Sequence, residues 1–179
     1  MEIRDFYNTY RDHQPRLLGG RSNFAVLVPL VKTEQGLCLL YEVRADGIRQ
    51  PHEVCFPGGR MEPGETPTAC ALRETWEETG LTLTEYQYRG IVTFVSDQWE
   101  TEYMHVFTAT GWTGELIECN EGVLEWIHKD QLMKLPLWAG DKLFLDLIHE
   151  PDTPFFSMKL RYEGERLAYA ALNGKELNT

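Results

Sequence analysis

The sequence predicts an α/β or α+β sandwich, in which helices pack against a mixed β-sheet. Two early runs, 22–31 and 36–45, are almost continuously apolar, as expected of strands that are covered on both faces. Two further runs, 88–96 and 102–111, are rich in β-branched and aromatic residues, as expected of strands. A later run, 139–150, instead has apolar residues at helical spacing. Strands and helices mixed along one chain are typical of layered folds.

The elements follow one another with turn or stop signals between them. A turn at "KTEQG" joins the first two strands, Pro136 ends the second helix, and Glu163-Gly164 forms the turn of a closing hairpin. The predicted strands are 22–31, 36–45, 88–96, 102–111 and 122–127, the helices are 67–79, 128–135 and 139–150, and the hairpin covers 154–172. We expect one domain over 1–179, with 1–20 as an N-terminal extension.

Composition excludes several classes of function. The 179 residues carry a net charge of −11 and no basic stripe, which disfavours nucleic-acid polymers as partners. No apolar run approaches the ~20 residues of a membrane span, and the start of the chain lacks a signal peptide. The four cysteines are widely spaced, which indicates reduced thiols and a cytoplasmic protein.

The helix at 67–79 has a signal at each end. Thr66 is a good N-cap, Pro67 suits the first helical position, and Gly80 suits the left-handed residue that follows a helix. At ~100° per residue, its last three glutamates share one face, and a second, apolar cluster is predicted to face the core. The glutamates are Glu74, Glu77 and Glu78, and the predicted core residues are Ala69, Leu72 and Trp76.

A solvated acidic face is the simplest interpretation of these glutamates, but two observations argue against it. Glu74 and Glu78 are like charges at i, i+4, which weakens a helix, and they lie near the C-terminal end, where the dipole disfavours anions. A bound Mg²⁺ would offset this repulsion between carboxylates, since it prefers carboxylate oxygens, water and substrate phosphates as ligands. Arg73 could orient the carboxylates, and Gly58-Gly59 permits a tight backbone turn beside them.

The spacing of these residues resembles the Nudix box, a loop–helix–loop here at 55–81. The pattern G-x5-E-x7-R-E-U-x-E-E-x-G-U, with U a bulky aliphatic residue, is matched at every fixed Gly, Glu and Arg, and Thr75 replaces one aliphatic residue. The resemblance implies an α/β/α sandwich that hydrolyses a diphosphate linked to another group with Mg²⁺ or Mn²⁺. It also implies residue roles: Glu74, Glu77 and Glu78 as metal ligands, the Gly58 carbonyl as a further ligand, Glu65 as support, Arg73 as the orienting group, and Gly59 next to the substrate.

The segment before the box resembles that of the coenzyme A diphosphatases within the Nudix family. The similarity rests on Leu39, Leu40, Arg44, Arg49, Val54, Phe56, Pro57, Gly58 and Gly59, while Ala45 and His52 depart from the pattern. Arg44 and Arg49 are candidates for binding a substrate phosphate such as the 3′-phosphate of coenzyme A; the alternative is ordinary solvated cations.

Other substrates and another class of function stay open at this point. ADP-ribose, another nucleoside diphosphate derivative or an oxidised nucleoside triphosphate would also fit, as would a non-catalytic nucleotide-sensing module. The resemblance also allows a homodimer. Trp99 or Trp138 is a candidate for stacking on a base.

Nudix enzymes often recruit one more carboxylate from outside the box. Glu121, which precedes Gly122 in a loop, is the candidate here for the general base, against the alternative of an exposed loop acid. Glu125 lies within the predicted strand at 122–127 and is expected to face solvent.

Overall fold

The structure is a computed structural model, and it describes residues 22–33, 36–47, 53–132, 134–150 and 152–178. The predicted N-terminal extension and Arg49 lie outside these residues. No helix in the described part of the chain is long and apolar enough to cross a membrane.

Ten strands and three helices make up the described chain. The strands are β1 Ser22–Thr33, β2 Gly36–Arg44, β3 Val54–Cys55, β4 Gly58–Arg60, β5 Thr82–Ser96, β6 Glu102–Thr113, β7 Gly122–His128, β8 Phe156–Glu163, β9 Arg166–Leu172 and β10 Lys175–Leu177. The helices are α1 Pro67–Thr79, α2 Lys129–Leu132 and α3 Ala139–His149.

Every predicted strand and helix is present, but several boundaries differ. Strand β5 begins at Thr82, six residues earlier than predicted, and β10 was not predicted at all. The Asn173-Gly174 turn before β10, with positive φ at both residues, is a strong hairpin signal that the sequence did contain. Helix α2 is a single turn, because Lys134 and Leu135 donate to carbonyls only three residues back before Pro136.

The strands form one mixed sheet in the order β10-β9-β8-β5-β6-β1-β2-β3, with β4 paired to β1 and β7 to β2. β1 runs parallel to β6, and β5 parallel to β8. Strand β1 divides one edge between two partners: Phe24–Val26 pair with β4, while Leu30–Thr33 pair with β2. The box loop is therefore attached directly to the centre of the sheet.

The two faces of the sheet carry separate cores. Phe144, Leu145 and Ile148 of α3 pack on one face, and Cys70 and Ala71 of α1 pack against Ala25 and Leu27 on the other. Helices on both faces of a mixed sheet confirm the predicted α/β/α sandwich.

The predicted inward face of α1 was wrong at Ala69 and Trp76, while Leu72 packs against the core as predicted. The buried residues are Cys70, Ala71, Thr75 and Thr79, whereas Ala69 is exposed and Trp76 is 59% exposed. The two threonines can be buried because each hydroxyl donates to the carbonyl four residues earlier, at 2.6 and 2.5 Å. This rotation brings Glu74 and Glu78 towards the sheet, where they lie partly buried.

Truncation of Trp76 tests this orientation of α1, with truncation of the buried Phe144 as the reference. Phe144 of α3 is 1% exposed. Phe144→Ala should lower the free energy of unfolding by about 3–5 kcal/mol, because a cavity remains. Trp76→Ala should change it by about 0.5 kcal/mol or less, since its ring lies mostly in water. Urea unfolding measures both. A loss of similar size for Trp76→Ala would contradict the exposed placement.

Candidate active site

Two glycines let the box loop lie directly against β1 and α1. Gly58 has φ 153°, and a Cβ there would come 2.4 Å from the Ala25 carbonyl oxygen. A Cβ on Gly59 would come 2.3 Å from the Glu74 carboxyl carbon. Any side chain at position 59 would displace that carboxylate, so Gly59 creates the space in which Glu74 sits.

Arg73 gathers three carboxylates around its guanidinium group. Its Nε and Nη2 donate to the two oxygens of Glu65 at 2.9 and 3.0 Å, and Nη1 donates to Glu74 at 2.8 Å and to Glu77 at 3.2 Å. The forked bond from Arg73 lowers the pKa of Glu65 to about 2. Arg73 thus holds Glu65 and Glu77 beside the cavity and Glu74 at its wall.

Glu78 is held by the backbone instead. The Gly58 N–H donates to its Oε2 at 2.9 Å. Burial, together with the charges of Glu42, Glu74 and Glu121, raises the pKa of Glu78 to about 8, against the opposing effect of that hydrogen bond. Burial also raises the pKa of Glu74, despite its bond to Arg73. Both carboxylates therefore lie in an environment that is short of positive charge.

A cavity of about 490 Å³ opens beside these carboxylates. The predicted site residues that line it are Arg44, Gly58, Gly59, Glu74, Glu78 and Glu121. Glu121 is 52% exposed, its carbonyl accepts from the Ala45 N–H at 2.8 Å, and its carboxylate lies 3.8 Å from Arg44 Nη2. Glu125 faces solvent, as predicted.

The other end of the cavity is aromatic and carries an acid that sequence reasoning missed. Phe94, Trp99, Trp138 and Asp141 line it, with Trp138 edge-on to Phe94 at a centroid distance of 6.3 Å. The Trp138 indole N–H donates to Glu53 at 3.1 Å. Phe94 belongs to β5 and Gly58 to β4, three strand spacings away across the sheet, or about 14 Å.

Asp141 lies in the first turn of α3. Burial raises its pKa to about 7, opposed by a hydrogen bond from the Trp138 backbone and reinforced by the charge of Glu53. An acid in the first turn of a helix is normally explained by the helix dipole, so its position in the sequence gave no reason to single it out.

Glu42 on β2 is the second acid that the sequence analysis missed. It is 2% exposed, and its pKa is raised by burial first and by Glu121 next. Its signal was available, because Glu42 is the one acid within the strand "GLCLLYEVR".

The side chains at the glutamate end suit Mg²⁺ or Mn²⁺, because they are carboxylate oxygens crowded together with few cations among them. Glu74, Glu78 and Glu121 line the cavity and could hold such an ion, with Glu77 adjacent. As the carboxylates stand, no three acidic, His or Cys side chains of the described residues converge on one point, since Arg73 and the Gly58 N–H occupy several of their oxygens.

Comparisons with known proteins agree with this geometry. Over 62 residues the chain is 52% identical to the peroxisomal coenzyme A diphosphatase of Mus musculus, covering 34% of this chain and 26% of that protein. Over 93 residues it is 36% identical to the oxidized purine nucleoside triphosphate hydrolase of Danio rerio, covering 51% and 59%. The chain spans less than two thirds of the length of the curated relatives it matches.

A crystal structure of a mutator MutT protein from Bacillus halodurans superposes with a TM-score of 0.73 at 25% identity, covering 86% of this chain and 99% of that one. The model of the NUDIX domain matches residues 21–148, which is most of the chain. The fold, the box and this match together show that the chain belongs to the Nudix family.

Proposed function

We propose that this protein is a Mg²⁺- or Mn²⁺-dependent hydrolase that cleaves the diphosphate linkage of a nucleotide derivative. One observation carries the proposal: a single cavity has the box carboxylates at one end and an aromatic wall with a partly buried acid at the other. A nucleotide has the matching order of groups, a flat base at one end and phosphates at the other.

The box residues take the roles that their contacts support. Glu74, Glu77 and Glu78 would bind the metal, with the Gly58 carbonyl as a further ligand, while Glu65 and Arg73 keep the carboxylates in place. Bound metal ions would neutralise the diphosphate and make water a better nucleophile. Gly59, whose backbone lines the cavity, leaves room for a phosphate to approach.

Glu121 is our candidate for the general base. It lines the cavity with Glu78, and half of its side chain is exposed, so water can reach it. The bond between its carbonyl and Ala45 anchors its backbone while the carboxylate stays free to rotate. Arg44, 3.8 Å away, would either position this carboxylate or turn to a substrate phosphate.

The aromatic end would bind the nucleoside. Trp138 is fixed by its bond to Glu53 and by its edge contact with Tyr162 at 5.0 Å, so it presents a rigid surface for a base. Asp141 beside it could hydrogen-bond to a base edge, as acceptor or, when protonated, as donor.

Two candidate substrates are considered for this cavity, coenzyme A and a purine nucleoside triphosphate. Coenzyme A is supported by the segment before the box and by the similarity to the mouse diphosphatase. Its 3′-phosphate needs a cation near the ribose, and the described residues that line the aromatic end include no Lys or Arg. Coenzyme A binding therefore relies on Arg44 or Arg60, which line the cavity elsewhere, or on Arg49.

A purine nucleoside triphosphate is the second candidate, and the cavity favours it. Such a substrate has no 3′-phosphate, so an aromatic wall that has no Lys or Arg among the described residues suits it. The similarity to the zebrafish purine nucleoside triphosphate hydrolase supports the same choice. The four free thiols suit a reducing compartment such as the cytoplasm.

A substrate panel separates these possibilities. We expect Mg²⁺-dependent cleavage, and Glu78→Gln should lower it by on the order of 10² or more, because the metal loses a charged ligand. Product masses would be compared for coenzyme A, dephospho-coenzyme A, ADP-ribose and purine nucleoside triphosphates. Preference for coenzyme A over its dephospho form, lost in Arg49→Ala, would establish the first candidate. No cleavage of any of them would favour a nucleotide sensor and contradict the proposal.

Glu121→Gln tests the general base. Its turnover number should fall by roughly 10²–10⁴ with little change in KM, because proton transfer and not binding is lost. The matched control is Glu125→Gln, an exposed acid on the adjoining strand, which should keep wild-type turnover. Activity of Glu121→Gln within about twofold of wild type would remove Glu121 from this role.

Asp141→Asn tests the buried acid at the base end through stability. The pKa of Asp141 in the folded protein, about 7, lies above its ordinary value near 4. Asp141 therefore does not destabilise the fold at low pH, but it destabilises the fold increasingly as the pH rises from about 4 to about 7. The Tm of Asp141→Asn relative to wild type should therefore be higher at pH 8 than at pH 4. Asp146→Asn, an exposed change on the same helix, is the control. A pH-independent Tm difference would show that Asp141 is not destabilised by burial.

A further inference from the structure

We infer that Glu42, supplied from β2 and outside the box, completes a cation subsite with Glu78, beside the carboxylate of Glu121. The inference rests on the proposed function, since it concerns a divalent cation at the same centre. It concerns a residue that neither the box pattern nor the cavity lining includes.

Glu42 lies where the fold brings it beneath the end of α1. Side chains alternate along β2, and Leu39 and Tyr41 belong to the core under α3, so Glu42 points to the other face, which carries α1. Its strand is internal at this point, with Cys55 of β3 paired on one side and Leu124 of β7 on the other. The charge of Glu42 contributes to the raised pKa of Glu78.

The Glu42 carboxylate is buried without adequate partners. Its side chain is 2% exposed, and within the described chain its Oε1 has no hydrogen-bond partner. Its Oε2 has only the Cys119 thiol, with the sulfur 3.8 Å away. A Cβ on Gly122 would lie 2.9 Å from Oε1, so this glycine leaves the space that the carboxylate fills. A buried charge in such surroundings is costly unless a positive charge joins it.

The cations of the described residues supply that charge only in part. Arg44 follows two residues later on the same face of β2, and it lowers the pKa of Glu42 only partly against the effect of burial. Its Nη2 lies 3.8 Å from Glu121, and its own Nε is buried with no partner among the described residues. Among the described residues, Arg44 and Arg60 line the cavity with Glu74, Glu78 and Glu121. Glu42 adds one more carboxylate, and a divalent cation would balance this excess of negative charge.

Direct Mn²⁺ binding tests the inference without substrate. Free Mn²⁺ would be followed by its EPR signal during titration of the wild type, Glu42→Gln, Glu78→Gln and the control Glu125→Gln. The Kd of Glu42→Gln should rise on the order of tenfold or more, and that of Glu125→Gln should stay as in wild type. Glu42→Gln combined with Glu78→Gln should lose less Mn²⁺ affinity than the product of the two single losses, because both carboxylates act on one ion.

Thermal unfolding in EDTA distinguishes this role from a merely structural one. Without metal, the Tm of Glu42→Gln should equal or exceed that of the wild type, because a buried, unpaired charge has been removed. Added Mn²⁺ should raise the Tm of Glu42→Gln less than it raises the Tm of the wild type. A lower Tm without metal would indicate a structural role and overturn the inference. A Glu42→Gln variant that fails to fold would likewise indicate a structural role and overturn the inference. Glu42→Asp, which keeps the charge, should still bind Mn²⁺.

The outcomes separate the two proposals. A Kd of Glu42→Gln within about twofold of wild type, with Glu78→Gln impaired, would refute the subsite and leave the hydrolase proposal intact. Absence of Mn²⁺ binding by the wild type would contradict the hydrolase proposal itself.

Discussion

The crowding of carboxylates around one guanidinium group is the constraint on which the site depends. Arg73 binds Glu65, Glu74 and Glu77 at once, and the Gly58 N–H holds Glu78. These contacts fix side chains that would otherwise repel one another and extend into water. They leave other acids, Glu42 and Glu121, without equivalent compensation. The centre is therefore ordered before any metal arrives, yet still has an excess of negative charge with which to attract one.

Much of this arrangement could be predicted from the sequence because it is local. Thr66 and Gly80 define the ends of α1, and the box spacing places Arg73 beside its carboxylates within a single helix and its loop. The rotation of that helix was predicted wrongly. Hydrophobicity favoured Trp76 for the core, but Thr75 and Thr79 are buried because their hydroxyls bond within the helix. Only packing against the sheet decides between these two faces.

The acids at positions 42 and 141 were missed for a different reason. Glu42 differs from its neighbours only as the one acid of an apolar strand, and Asp141 is an ordinary residue for the start of a helix. Their importance comes from what the topology places around them. Gly122 of β7 makes room for Glu42, and Trp138 with Glu53 surrounds Asp141. Long-range pairing of this kind has no signature at the spacing of a motif.

The division of β1 between β4 and β2 has a consequence for how such a protein can diversify. The ladder from Phe24–Val26 to Gly58–Arg60 uses backbone atoms, so it ties the box to the sheet without demanding particular side chains beyond the two glycines. The aromatic end of the cavity is instead built from side chains of β5, α3 and the loops beside them. Those residues can be exchanged one at a time while the box stays anchored. One scaffold can thus acquire new substrates by changes at one end of the cavity and retain its chemistry at the other.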